Sequence, residues 1–151
     1  MQYWLVKSEP SSYSIDDLMQ DKKTAWTGVR NYQARNFMRD EMRVGDAVLF
    51  YHSNADPAGV AGIAKVASGA YPDPTAFDTK SDYYDEKSKK ENPRWLLVDI
   101  AFVKKFKEVI PLSDLRKEKA LAKMRLLEPG QRLSVMPVTK EEFEHIISMT
   151  R

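Results

Sequence analysis

The span WTGVRNYQARN, Trp26 to Asn36, sets a tryptophan, two arginines (Arg30 and Arg35) and three carboxamides (Asn31, Gln33 and Asn36) close together. Planar cations and amides can hydrogen-bond the edge of a nucleobase or its phosphate. An aromatic face beside them can stack a base, a contact worth about 1–3 kcal/mol. Asn31 precedes residues with helical periodicity and is placed to cap a helix; the free amides of that helix start, with Arg30 adjacent, would suit one phosphate. Arg35 follows about one turn later. Trp26 lies in a polar, glycine-containing turn outside any strong apolar period, so its indole is expected to be only partly buried. The same residues have plainer uses: arginines paired with acidic neighbours, Asn31 as a cap alone, Trp26 in the core.

Three further stretches bring polar groups to strand ends. In Lys7-Ser8-Glu9-Pro10, Glu9 can accept hydrogen bonds from an amine or ring N–H of a base, and Lys7 can neutralise a phosphate. Tyr51-His52-Ser53-Asn54 ends a strand with four hydrogen-bonding side chains, a run that suits a pocket mouth or a turn whose backbone it satisfies. Leu133-Ser134-Val135 puts a serine between apolar strand residues. An enzyme acting on a base or nucleotide would need Glu9 or His52 as general base with Ser53 or Ser134 nearby. The sequence holds no nucleophile, base and orienting third group in a recognised arrangement. A pocket for a free nucleoside or nucleotide is the other alternative to a polymer-binding site.

The elements that must position these groups can be read from periodicity and punctuation. Tyr3–Ser8 reads as a strand stopped by Pro10. Ser14 and Asp17 form a capping-box pattern opening a helix to about Gln20. Ala34, Phe37, Met38 and Met42 recur at helical spacing after Asn31. Ala47–Asn54 and Gly59–Ala67 read as strands, with Gly59, Gly62 and Gly69 suggesting bends or close backbone approach. Residues 70–93 form a long loop rich in Asp, Pro, Lys and Tyr, which Tyr71, Phe77, Tyr83 and Tyr84 are expected to pack. Arg94–Phe106 is apolar on both sides and is expected to be a central strand buried on both faces. One or two short helices within Pro111–Met124, a strand over Arg132–Val138 and a helix opened by Thr139 and Glu142 complete an α+β fold around a curved sheet or small barrel.

Bulk properties narrow the classes. A chain of 151 residues, 42% hydrophobic, builds one core and one domain, 1–151. Its net charge of +2 describes a mixed surface, so nucleic-acid binding must be local. Lacking cysteine, it has no disulfide, thiolate metal site or catalytic thiol, and two histidines leave little for metal chemistry. No cofactor is implied. The start MQYWLV lacks a leader, and no apolar segment approaches the ~18 residues of a membrane span, so the cytoplasm is the expected home.

Taken together, YWLVKSEP, WTGVRNYQARNFM, VGDAVLFYHSN, GVAGIAKV, AYPDPTAFD, YYDEKSKKENPRW and RLSVMPVT follow the order and wording of the EVE domain. The chain resembles the thymocyte nuclear protein family from Tyr3 to its C-terminal helix. This resemblance implies a PUA-like fold, a curved β-barrel with surrounding helices, similar to the YTH readers of methylated adenine and to ASCH domains. It implies a non-catalytic module that binds DNA or RNA and accepts one flipped, modified base, a modified cytosine or adenine; flipping costs a few kcal/mol that the pocket must recover. On that likeness, Trp26 stacks on the base or walls the pocket, Val29 is among the base-binding residues, and Lys7, Ser8 and Glu9 line the floor. Arg30, Asn31, Arg35 and Asn36 hydrogen-bond base or phosphate, Tyr51, His52 and Ser53 form another wall, and Leu133, Ser134 and Val135 close it. Two departures bear on specificity: Thr27 stands where many members have Asp, and Met136 where they have Gln. The basic N-terminal extension of the nuclear members is missing, which makes a prokaryotic cytoplasmic protein the expectation.

Overall fold

The computed structural model describes residues 1–150. In chain order, β1 (Tyr3–Ser8) leads to α1 (Ile15–Asp21), β2 (Lys23–Ala25) and α2 (Tyr32–Asn36), which runs into a π-helical turn, Phe37–Glu41. Strands β3 (Ala47–His52) and β4 (Gly59–Val66) follow, then β5 (Tyr71–Pro72), β6 (Leu96–Leu97) and the long β7 (Asp99–Pro111). The chain ends with α3 (Leu112–Leu115), β8 (Val135–Val138) and α4 (Lys140–Ser148). Both expected capping boxes form. Ser14 Oγ accepts from Asp17 N–H at the start of α1, and Thr139 Oγ1 from Glu142 N–H at the start of α4, each answered by the carboxylate reaching back.

Six strands make one curled sheet, a half-barrel in the order β2-β7-β4-β3-β1-β8. It remains open, with β2 and β8 as its edges, while β5 and β6 pair separately. Strand β1 runs parallel to β3, so the intervening α1, β2 and α2 act as the crossover such pairing requires. All other neighbours are antiparallel, and register shifts interrupt β3 against β4 and β4 against β7. The curl depends on small residues: a Cβ on Gly62 would lie 2.3 Å from the Lys104 carbonyl oxygen, so β7 crosses β4 there only because the side chain is missing.

The alternation of β1 sorts the core into two sides. Trp4, Val6 and Ser8 point the same way as Val48, Phe50 and His52, toward the π-turn, where Trp4 packs on Phe37. Tyr3, Leu5 and Lys7 share the other side with Leu49 and Tyr51, and Tyr3 packs on Phe143 of α4.

Two expectations need correction. The segment 94–106 is not buried on both faces throughout: burial holds to Ile100, and Val103, Lys104 and Lys105 are exposed. The reason is that β2 has three residues and its pairing ends at Ala101, leaving the rest of β7 with β4 as its partner. The loop of residues 70–93 is not packed chiefly by its own tyrosines, since Tyr71, Tyr83 and Tyr84 are exposed. Buried Asp73 and Ala76, with Trp95 beyond the loop, tie it down instead.

Candidate nucleic-acid interface

The carboxyl ends of β1 and β3 and the start of β8 meet at one rim of the sheet. Lys7 faces Tyr51 and Ser8 faces His52 across the parallel pair, Lys7 N–H donates to the Ser134 carbonyl at 2.8 Å, and Ser53 N–H to the Ser8 carbonyl at 2.9 Å. Three separated segments are thereby joined. Alternation nevertheless divides their side chains. Lys7, Tyr51 and Ser134 lie on one side of the sheet; Ser8, His52 and Val135 lie on the other, the side of Trp26.

On the first side, the Lys7 ammonium sits 5.8 Å from the centre of the Tyr51 ring and has no salt-bridge partner among the described residues. Burial lowers its pKa, and burial also raises that of the Tyr51 phenol, opposed by Arg116. A half-buried cation without an acid is suited to meet an anion from outside. Glu9, at the tip of the rim, is exposed and accepts from the Asn54 amide. Its neighbour Ser8 donates to the Tyr13 carbonyl at 2.7 Å.

On the second side, His52 Nε2 accepts from the Ile15 backbone N–H at 3.1 Å, which fixes the neutral tautomer with its proton on Nδ1. Burial holds its pKa below the ordinary histidine value. That lone pair ties down the start of α1 and is not aimed at Ser53. Trp26 is more buried than its turn suggests, 8% exposed, with Tyr13 and Phe50 packed edge-on against it at 6.4 and 5.6 Å between ring centres. The apolar surroundings come from Phe50 of β3, which local periodicity around residue 26 cannot register. The indole N–H has no protein acceptor among the described residues, yet it is not among their fully buried, unpaired polar atoms. Val29 and Val135 are buried, Met136 is wholly so, and Thr27 is exposed.

Arg30 and Arg35 serve the protein's own loop. The Arg30 guanidinium makes five hydrogen bonds, to the carbonyls of Val29 and Tyr83 (the latter twice), to Asp73 Oδ2 and to Thr75 Oγ1. That equals its five N–H groups, leaving none for a ligand in this conformation. Burial pushes the Asp73 carboxyl up, but bonds from Thr75, Gly28 and Arg30 outweigh it and hold its pKa below the usual range. Arg35 donates twice to Asn36 Oδ1 and once, at 2.7 Å, to the Arg94 carbonyl, which uses three of its five N–H groups and engages the Asn36 oxygen. The two guanidiniums belong to a continuous pile of planar groups. Arg35 lies 4.8 Å from the Tyr32 ring, Tyr32 stacks on Trp95 at 4.8 Å, and Arg30 lies 5.3 Å from Trp95 and 5.6 Å from Tyr83. This pile clamps residues 73–95 against α2.

Asn31 caps α2 as expected, its Oδ1 accepting from Ala34 N–H at 3.0 Å. It also lines a hollow of about 370 Å³ with Gln33, Arg125, Arg132 and Leu133. Arg125 and Arg132 are not among the residues the sequence singles out; the one available signal is a Pro129-Gly130 turn set between two arginines.

Comparison with known proteins agrees with this architecture. The sequence profile of the EVE domain matches residues 2–149. Human thymocyte nuclear protein 1 is 44% identical over 97% of this chain and 73% of its own length. A crystal structure of a Pseudomonas syringae protein superposes with a TM-score of 0.94 at 49% identity, covering 97% of this chain and 98% of that one. Human thymocyte nuclear protein 1 in complex with DNA containing 5-methylcytosine superposes with a TM-score of 0.93 at 41% identity, covering 99% of this chain and 97% of that one. With the family profile matched over residues 2–149 and relatives similar in sequence and fold over nearly the whole chain, the chain belongs to the EVE domain family.

Proposed function

We propose that this protein is a single-domain reader of DNA that takes one modified cytosine out of the stack, without catalysing a reaction on it. The observation that carries the reading is the 41% identical human relative solved with 5-methylcytosine DNA on the same fold. The base would enter at the rim where β1, β3 and β8 meet. There the Trp26 N–H and the Ser53 hydroxyl offer donors to its edge, the Ser8 oxygen and the Glu9 carboxylate offer acceptors, and Lys7, on the other side of the rim, offers charge to its phosphate. Arg30 and Arg35 act through the loop they clamp. Reading without turnover is supported by His52, whose lone pair already accepts the Ile15 amide and so is not free as a general base. No helix among the described residues is long and apolar enough to cross a membrane. We place the protein with DNA in the cytoplasm of a prokaryote, or in the nucleus if its source is eukaryotic.

The test is a fluorescence-anisotropy titration with matched duplexes carrying cytosine or 5-methylcytosine, and with the corresponding RNA. A pocket shaped to one methyl group discriminates by about tenfold or more. Equal affinity for both duplexes overturns the reading, and so does tighter binding of free 5-methyldeoxycytidine than of the strand.

A further inference from the structure

The hollow between the start of α2 and the turn of residues 128–133 contains a cation that the protein leaves without an acceptor. Arg125 Nη1 is closed to solvent and has no hydrogen-bond partner. The rest of the guanidinium forms no hydrogen bond or salt bridge with any described residue, its one close planar neighbour being the Phe37 ring 5.8 Å away. Nε and Nη2 are likewise unpaired but are not covered, so they are the donors that an acceptor entering the hollow can reach. The backbone around it is fixed, because Gln131 donates to the Arg125 carbonyl at 3.1 Å and accepts from Leu133 N–H at 3.0 Å. Across the hollow, Asn31 has its oxygen engaged in capping Ala34, which leaves its amide nitrogen to donate outward; Gln33 stands beside it. Two guanidiniums, Arg125 and Arg132, face one carboxylate, the exposed Glu128.

Building on the reader function above, we infer that this hollow is a phosphate subsite, holding a phosphodiester of the strand whose base enters the rim. Its position fits that use. Leu133 lines the hollow, and the next residue, Ser134, accepts the Lys7 amide at the rim, so the two sites are joined through adjacent residues whose Cα atoms are ~3.8 Å apart. A guanidinium fork with an amide opposite suits the tetrahedral oxygens of a phosphodiester. The rim and the hollow then divide the work: one reads the base, the other sets the register of the backbone.

The experiment compares wild type, Arg125→Gln, Arg125→Lys and Arg132→Gln on the cytosine and 5-methylcytosine duplexes over a salt series. For Arg125→Gln, affinity drops about tenfold for both duplexes alike, the ratio between them holds, and the slope of log K against log salt shrinks by about one. Arg125→Lys restores the slope, and Arg132→Gln, an exposed side chain, shrinks it without altering thermal stability. Discrimination in the wild type with an unchanged slope in both glutamine variants overturns the subsite and leaves the base reading intact. A wild type that binds both duplexes equally, yet loses slope on Arg125→Gln, sinks the base reading and keeps the subsite. Inorganic phosphate that competes with the duplex at equal concentration of phosphate groups assigns the hollow to free anions and overturns its use for a strand.

Discussion

Trp26 carries the sharpest residue-scale consequence. Its ring is held edge-on by Tyr13 and Phe50 and is almost wholly covered, so truncation opens a core cavity as well as removing a wall of the proposed base site. Trp26→Ala is expected to cost about 3–5 kcal/mol of stability in urea denaturation. Trp26→Phe keeps most of the packing and removes the unpaired indole N–H; it is expected to fold with a much smaller loss and still weaken binding of the methylated duplex. A Trp26→Phe variant with wild-type affinity takes the indole N–H out of the site. The arginines show where residue type misleads. Read along the chain, Arg30 and Arg35 are free planar cations, because their partners Asp73, Thr75, Tyr83 and the Arg94 carbonyl lie more than forty positions away in sequence. Such partners leave no local pattern, whereas the Asn31 cap, three residues from the amide it serves, is legible at once.

At the scale of elements, periodicity reads best where one neighbour suffices. The capping boxes, β1, β3 and β4 follow from side chains within a few positions of one another. The extent of burial on β7 does not, since it depends on how short β2 is, a fact held elsewhere in the chain. Glycine spacing marks the close crossing of β4 and β7 at Gly59 and Gly62 but not at Gly69, where a Cβ would meet nothing within 4 Å. Gly62→Ala must move both the Lys104 carbonyl and the Ile15 side chain, and is expected to destabilise by about 1–3 kcal/mol. Gly69→Ala, placed in open space, serves as the control, and denaturation midpoints of the pair measure the difference.

For the whole molecule, the histidine at the rim links global stability to acidity. His52 accepts from the Ile15 amide where α1 meets β3, and burial depresses its pKa below the ordinary value near 6.5. A base whose folded pKa is depressed contributes fully above its unfolded pKa, and that contribution is lost as pH falls through the folded value. Stability is therefore expected to be flat above about pH 6.5 and to decline on acidification below it, beyond the general loss from carboxylates. His52→Gln, which keeps an acceptor that does not titrate, is expected to remove that part of the slope. Thermal midpoints from pH 5 to 8 for both proteins check this; parallel curves would mean that the imidazole does not couple to folding.

The direction of β1 settles a practical matter of orientation. Its carboxyl end forms the rim, and its six residues carry the chain about 20 Å back to the opposite pole, where the Gln2 amide donates to Asp46. A fluorophore or affinity handle joined ahead of Gln2 accordingly hangs from the far side, where it can report tumbling or tether the molecule to a sensor without shadowing the proposed cleft.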